Sequence, residues 1–409
     1  MESSTKLIYP IEAVIDFSVE QFGSKAKNIS LLMKNQFKTP GGFCITSDAY
    51  LEYVKRNKLD KVIDFVLNRK PMEEMRWEEI WDISLRIQSA FLRAELNPSF
   101  QNDIIVHLKQ LPPDTAFSVR SSSTKEDSSN YSYAGIHESF VNLRNYDDII
   151  EKIKLVWASL WSNRAILYRK ELSLNPKESK MAVLVQEMVI EKISGLAFSQ
   201  DPYSKENRVV IEAIEGQCSE LVDNIKEPKK DLLNDSQYKE IETKVREIEK
   251  LFKKPVDVEW TGTGERFTVL QARPVTTIVM DENKEREWYL SLTPSFANLK
   301  NLAKRVEQVL IPELQIIGEK LSREEVHTTN KKRLAAIIKD RAEIYFKWKK
   351  IYWDEFIPMA HGIRSFGNYY NAIIKPEDPF EFVELLKTED MLAVKRNNKL
   401  IDHIYFSFA

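Results

Sequence analysis

"VDVEWTGTGERFTVLQARP", Val256 to Pro274, decides how this chain is read. Two runs rich in β-formers, 256–260 and 267–273, flank "TGTGER", a Gly-containing hairpin signal. Side chains two apart share one face of a strand, so Asp257 and Glu259 lie together, with Val256, Val258 and Trp260 behind them. Gln271 and Arg273 likewise share a face. A register in which paired residue numbers sum to an even value puts all four on one surface. Two carboxylates and an amide oxygen are hard ligands suited to magnesium, which keeps waters and phosphate oxygens as its remaining ligands. Arg273 would stand beside such an ion and stabilise a transferring phosphoryl group. The plainer alternative is an exposed hairpin face with ordinary charges.

Three further stretches carry anion- or nucleotide-binding chemistry. In "FSVRSSSTKED" (117–127) an apolar run is read as a strand ending in Arg120, followed by four hydroxyl residues. A guanidinium can grip phosphate bidentately, and its charge does not titrate away. The alternative is a surface arginine beside a serine loop. "FGSKAKN" sets Lys25 where a helix starts near Ser24. A lysine there opposes the helix dipole unless an anion lies between them; otherwise it is a solvated surface lysine. Gln186 and Glu187 end the strand "LVQEM", and its main chain could pair with an adenine edge walled by Met188 and Val189. The plainer reading of Met188 and Val189, and the one preferred for them, is the continuation of a central strand over 181–189.

The remainder of the first 280 or so residues mixes short strands (194–199, 208–214) with amphipathic helices (47–55, 147–170, 236–252). A charged run, "MDENKERE" (280–287), reads as a linker, and 288–409 looks almost wholly helical and dense in aromatics. Those aromatics either form core or bind an apolar acceptor.

With 409 residues, two or three domains are expected. Hydrophobic residues make up 43% and charged ones 30%, with a net charge of −2, so neither nucleic acid nor an anionic membrane is expected as a partner. No apolar run is long enough to span a bilayer. Two cysteines at unrelated spacing, Cys44 and Cys218, and no secretory signal fit a reducing cytoplasm.

Taken in order, "FGSKAKNISLL", "TPGGFCITSDAY", "FSVRSSSTKEDSSNYSYAGIHESFVN", "VWASLWSNRAILYR", "VLVQEMVIEKISGLAFSQDP" and "DVEWTGTGERFTVLQARPVTT" resemble one family. It is the phosphoenolpyruvate synthase, pyruvate phosphate dikinase and rifampin phosphotransferase superfamily, in its nucleotide-binding half. The resemblance implies an α/β (α+β) ATP-grasp fold over 1–280 that holds ATP and magnesium between two lobes, then a linker at 281–287 and an incomplete helical domain over 288–409. By position it implies that Lys25 and Arg120 contact phosphates and that Glu259 and Gln271 hold magnesium, with Asp257 nearby. Arg273 would support phosphoryl transfer, and Gln186, Glu187 and Val189 would lie on the adenine side. In the family, ATP gives its β-phosphoryl group to a histidine on a swivelling domain, with AMP and phosphate as by-products, and the group then passes to pyruvate or another small-molecule acceptor.

The chain departs from the family pattern in three places. Ala26-Lys27 stands where a second glycine usually follows the lysine, and "EGQCSELVDN" carries Cys218 and Asn224 where glycines are common. None of His107, His137, His327, His361 and His403 has the glycine-rich context of the phosphorylated histidine. The expectation is therefore a truncated or split enzyme, with the phosphohistidine domain in a missing C-terminal region or a separate chain. The alternative is a nucleotide-binding module without catalysis.

Overall fold

The structure is a computed structural model that describes residues 6–112, 114–123, 138–172, 174–202, 204, 206–222, 226–229, 231–275, 296–323 and 330–385. The chain divides into two compact units, Met1–Lys284 and Glu285–Ala409. The charged run at 281–287 lies outside the described residues.

The first unit is built on two antiparallel sheets. The strands are β1 (Ile8–Pro10), β2 (Gly42–Ile45), β3 (Phe117–Ser123), β4 (Ser139–Leu143), β5 (Met181–Glu187), β6 (Ile193–Phe198), β7 (Val210–Glu215), β8 (Val256–Thr261) and β9 (Thr268–Pro274). The larger sheet runs β1-β2-β5-β3-β4 and the smaller β7-β6-β8-β9. The helices are α1 (Val19–Lys34), α2 (Ser47–Arg56), α3 (Leu59–Leu67), α4 (Trp77–Arg93), α5 (Pro98–Leu108), α6 (Tyr146–Ser159), α7 (Asn163–Glu171), α8 (Cys218–Val222) and α9 (Asp235–Phe252).

Strand alternation sorts the larger sheet into two faces. Phe43, Ile45, Phe117, Val119, Val183 and Val185 share a core with Phe91 of α4, Trp157 of α6 and Trp161 of the turn after α6. The opposite face gives Cys44, Ala182 and Leu184 to Phe22, Ala26 and Ile29 of α1. Strand β5 is thus covered on both sides, which is why 181–185 reads as an unbroken apolar run. The smaller sheet packs Val256, Val258 and Trp260 against Ile241, Val245 and Ile248 of α9. That helix opens with a capping box, Asn234 and Gln237 exchanging side-chain and main-chain bonds.

Four sequence readings need correction. Strand β3 does not end at Arg120 but continues through Ser123, with Phe117 and Val119 turned into the helical core. The segment is an alternating strand whose other face is polar, so Arg120 sits at its middle. The central strand stops at Glu187, leaving Met188 and Val189 in the connection to β6. The helix over 147–170 is two, because Ser162 accepts from the Ala165 N–H and caps a new start. The helix near Ser24 already begins at Val19, with a break at Gly23, where φ is +73°.

In the second unit the described residues are helical over Phe296–Arg305, Ile311–Ser322, Lys331–Ile351 and Ile357–Ile374, and in the short turn Phe382–Leu385. Val306–Leu310 and Tyr352–Phe356 are π-helical turns joining successive helices. Arg305 and Glu355 pair across those turns, and Lys347 pairs with Glu313. The aromatics do not all form core here, since Phe346 and Tyr369 are exposed. No helix among the described residues is long and apolar enough to cross a membrane.

Candidate nucleotide site

A cleft of about 1200 Å³ opens between the two sheets of the first unit. It gathers all nine residues singled out in the sequence: Lys25, Arg120, Gln186, Glu187, Val189, Asp257, Glu259, Gln271 and Arg273.

Lys25 is presented by the break in α1. Beyond Gly23 the helix restarts, and Ser122 clamps the restart by accepting from Ala26 N–H at 3.2 Å and donating to Phe22 O at 2.6 Å. A Cβ at Gly23 would meet Ser122 O at 2.2 Å, so the backbones approach too closely for any other residue. Lys25 Nζ lies 3.4 Å from Ser121 Oγ. The hydroxyl run after Arg120 therefore fastens the lysine turn to β3. Ala26 is fully buried in this clamp. Lys27 donates to the carbonyls of Ile15 and Phe17, staples the preceding turn, and has its pKa lowered by desolvation.

The hairpin has the even-sum register: Asp257 faces Arg273 and Glu259 faces Gln271. A bulge follows between Glu259 and Trp260, after which the register shifts. Arg273 donates from Nε and Nη2 to Asp257 Oδ2, at 2.9 and 2.8 Å. Arg120 reaches across from the other sheet. Its Nη2 donates to Glu259 Oε2 at 3.0 Å and to Gln271 Oε1 at 2.8 Å. Two oxygens on neighbouring strands therefore converge on one cationic nitrogen, and this donor set suits a hard divalent ion at the same place. Asp257 lies one pair along, with Oδ2 committed to Arg273. Among the described residues no group of three or more His, Cys, Asp and Glu side chains is arranged as a metal centre. Waters and phosphate oxygens would have to complete the shell.

At the other end of the cleft, Glu187 Oε1 accepts from the Gly41 N–H at 2.8 Å, and Gln186 Nε2 is 3.5 Å from Pro40 O. These side chains hold the Pro40–Gly41 turn. The main chain there is also engaged, with Glu187 N–H on Gly41 O and Met188 N–H on Ala116 O. Val189 lines the cleft just beyond.

Sequence reasoning missed the apolar wall. Leu196 and Phe198 of β6 and Leu270 of β9 also line the cleft. A signal was present: in "SGLAFS" the small Gly195 and Ala197 are buried while Leu196 and Phe198 alternate onto the open face. Cys218 lies under the same cleft, its thiol 3.2 Å from Gly195 O and its pKa pushed up by burial and then by the Glu259 charge.

The comparisons with known proteins place the chain in one family. The profile of the pyruvate phosphate dikinase AMP/ATP-binding domain matches residues 19–231 and 226–291. Rifampicin phosphotransferase of Bacillus subtilis is 25% identical over 316 residues, covering 67% of this chain and 36% of that protein. Phosphoenolpyruvate synthase of Aeropyrum pernix is 30% identical over 299 residues, 70% of this chain and 36% of that protein. A probable phosphoenolpyruvate synthase of Archaeoglobus fulgidus is 27% identical over 310 residues, 65% and 41%. The chain thus spans well under half the length of these relatives. Its two-sheet α/β unit is of the ATP-grasp type, and the chain belongs to the pyruvate phosphate dikinase AMP/ATP-binding domain family.

Proposed function

We propose that this chain is the ATP-binding part of a dikinase-type phosphotransferase. ATP lies in the cleft with its phosphates toward Lys25, Arg120 and Arg273 and its adenine toward Val189 and the end of β5. Glu259 and Gln271 hold magnesium, with Asp257 at one remove. The ion would neutralise charge on the polyphosphate and polarise the group in transfer. Arg273, oriented by two bonds from Asp257, stabilises the transferring phosphoryl group. The acceptor is a histidine nitrogen on another domain or chain. It takes the β-phosphoryl group, the α–β bridge breaks to release AMP, and water takes the γ-group as phosphate. A small molecule later receives the group from that histidine.

The observation that supports this most is the convergence on one cleft of cations from α1, β3 and β9 with the paired oxygens of β8 and β9. The test is to mix the purified chain with Mg-ATP and a family histidine domain. AMP and phosphohistidine are expected; ADP alone, or bound ATP without turnover, counts against the reading.

One observation favours a second reading, a nucleotide-binding module without catalysis. Cys218 replaces a glycine common in the family's loop, and its side chain is bonded beneath the cleft to Gly195 O. On that reading Arg273→Ala leaves nucleotide binding unchanged and no AMP appears from either protein. On the first it abolishes AMP release.

A further inference from the structure

Arg120 stands where a cation would stand. Its guanidinium belongs to the larger sheet, yet its acceptors are Glu259, Gln271 and, at 3.5 Å, Leu270 O, all on β8 and β9 of the smaller one. The ion pair is sheltered, with the Arg120 side chain 18% exposed and that of Glu259 15%. One side chain therefore neutralises the carboxylate and ties the two sheets together. A divalent ion on Glu259 Oε2 and Gln271 Oε1 would need those oxygens at about 2.0–2.6 Å. Nη2 already holds both at hydrogen-bond distance, and two positive centres cannot share that position.

We propose that Arg120 is a built-in competitor for the divalent ion, so that the ion loads only together with a polyphosphate that draws the guanidinium away. The inference rests on the nucleotide-site reading above and adds an order of events to it. Phosphate is a suitable lure, because a guanidinium binds it bidentately, and Lys25 and Arg273 supply further positive charge to hold it in the same cleft. The exchange has a mechanical consequence. When Arg120 leaves Glu259, Gln271 and Leu270, the cross-sheet tie opens, and the nucleotide with its ion replaces it. Metal loading and the coupling of the two sheets become one event.

Mn2+ binding followed by electron paramagnetic resonance without nucleotide tests this directly. Wild type is expected to bind Mn2+ weakly. Arg120→Met is expected to bind it on the order of tenfold more tightly, the scale of one lost charge-assisted hydrogen bond. Unchanged or weaker Mn2+ affinity in the folded variant overturns the proposal. If Arg120→Met fails to fold, Arg120→Lys carries the same test, with a smaller gain expected and no gain overturning it. Adding Glu259→Gln must erase the gain; a gain that persists places the ion elsewhere and also overturns it. AMP-PNP binding is measured separately and should weaken in Arg120→Met. Equal AMP-PNP binding would count against the nucleotide site itself while leaving the Mn2+ comparison readable.

Discussion

Ser122 has a buried hydroxyl that both accepts from Ala26 N–H and donates to Phe22 O, and so holds Lys25 at the cleft. Ser122→Ala is expected to cost about 1–3 kcal/mol, since two buried main-chain groups lose their partner. It should also weaken nucleotide binding through Lys25. Urea unfolding and calorimetry check the two effects, and a stability loss without an affinity loss would detach the clamp from function. The buried acids give a second prediction at this scale. Burial raises the thiols of Cys44 and Cys218 and the phenols of Tyr50 and Tyr53 above their ordinary values. In the unfolded chain thiols ionise near about 8.5 and phenols near about 10. Above about pH 8.5 the unfolded state therefore releases protons that the folded state keeps. Stability is then complete below that pH and falls as pH rises, by up to about 1.4 kcal/mol per unit for each thiol. Urea midpoints that stay level from pH 7 to 10 would contradict this. Lys25 and Arg120 could be singled out from a cation at a helix start and one beside hydroxyls, though each pattern alone also fits a surface cation, and the structure brings both to one cleft. The clamp was not, because it joins residues about a hundred positions apart.

The β8–β9 hairpin shows why one element could be read almost completely. Its alternation is strict as far as Glu259, so any even-sum register that keeps Val256 and Val258 buried puts the four polar residues on one face, while the particular pairing of Asp257 with Arg273 and Glu259 with Gln271 is fixed only by the fold. The bulge after Glu259 was not legible, because its extra residue lies in β9 and leaves no mark in the alternation of β8. That residue is Leu270, which turns onto the cleft while Val269 comes opposite Trp260, itself fully buried and stacked on Phe267 at 6.0 Å. Trp260→Ala is expected to cost about 3–5 kcal/mol. The strand beneath is fitted to that ring. A Cβ at Gly195 would lie 2.8 Å from Trp260 and 2.0 Å from Glu212 O. Gly195→Val should therefore push β6 off β8 and spoil the wall formed by Leu196 and Phe198. Unchanged melting and unchanged AMP-PNP affinity in Gly195→Val would show that the sheet absorbs the bulk. Strand β3 was misread at its end because serine carries no strand signal of its own. Its pairing with β5, from Phe117↔Glu187 to Ser123↔Met181, overrides that weak preference.

At the scale of the whole molecule, all nine cleft residues belong to Met1–Lys284. The two sheets of that unit are tied by more than Arg120. Asn28 of α1 donates to Ala272 O of β9 at 3.1 Å, and Val269 N–H donates to Lys38 O at 2.9 Å. The helix that presents Lys25 is thus also fastened to the strand that carries Gln271 and Arg273, a long-range arrangement that no local pattern encodes. A fragment of residues 1–284 should therefore keep the nucleotide site. A ligand that binds only the folded state stabilises it by about 2.7 kcal/mol at a hundred times its dissociation constant. Mg-AMP-PNP at that excess should raise the melting temperature of the fragment as much as that of the full chain. The rise should shrink in both when Arg273 is replaced by alanine, because the phosphates lose one of three cations. A rise in the full chain alone would mean that residues after Lys284 complete the site. The cleft would then be only part of what holds the nucleotide, and the role of the helical unit would have to be sought in binding ATP.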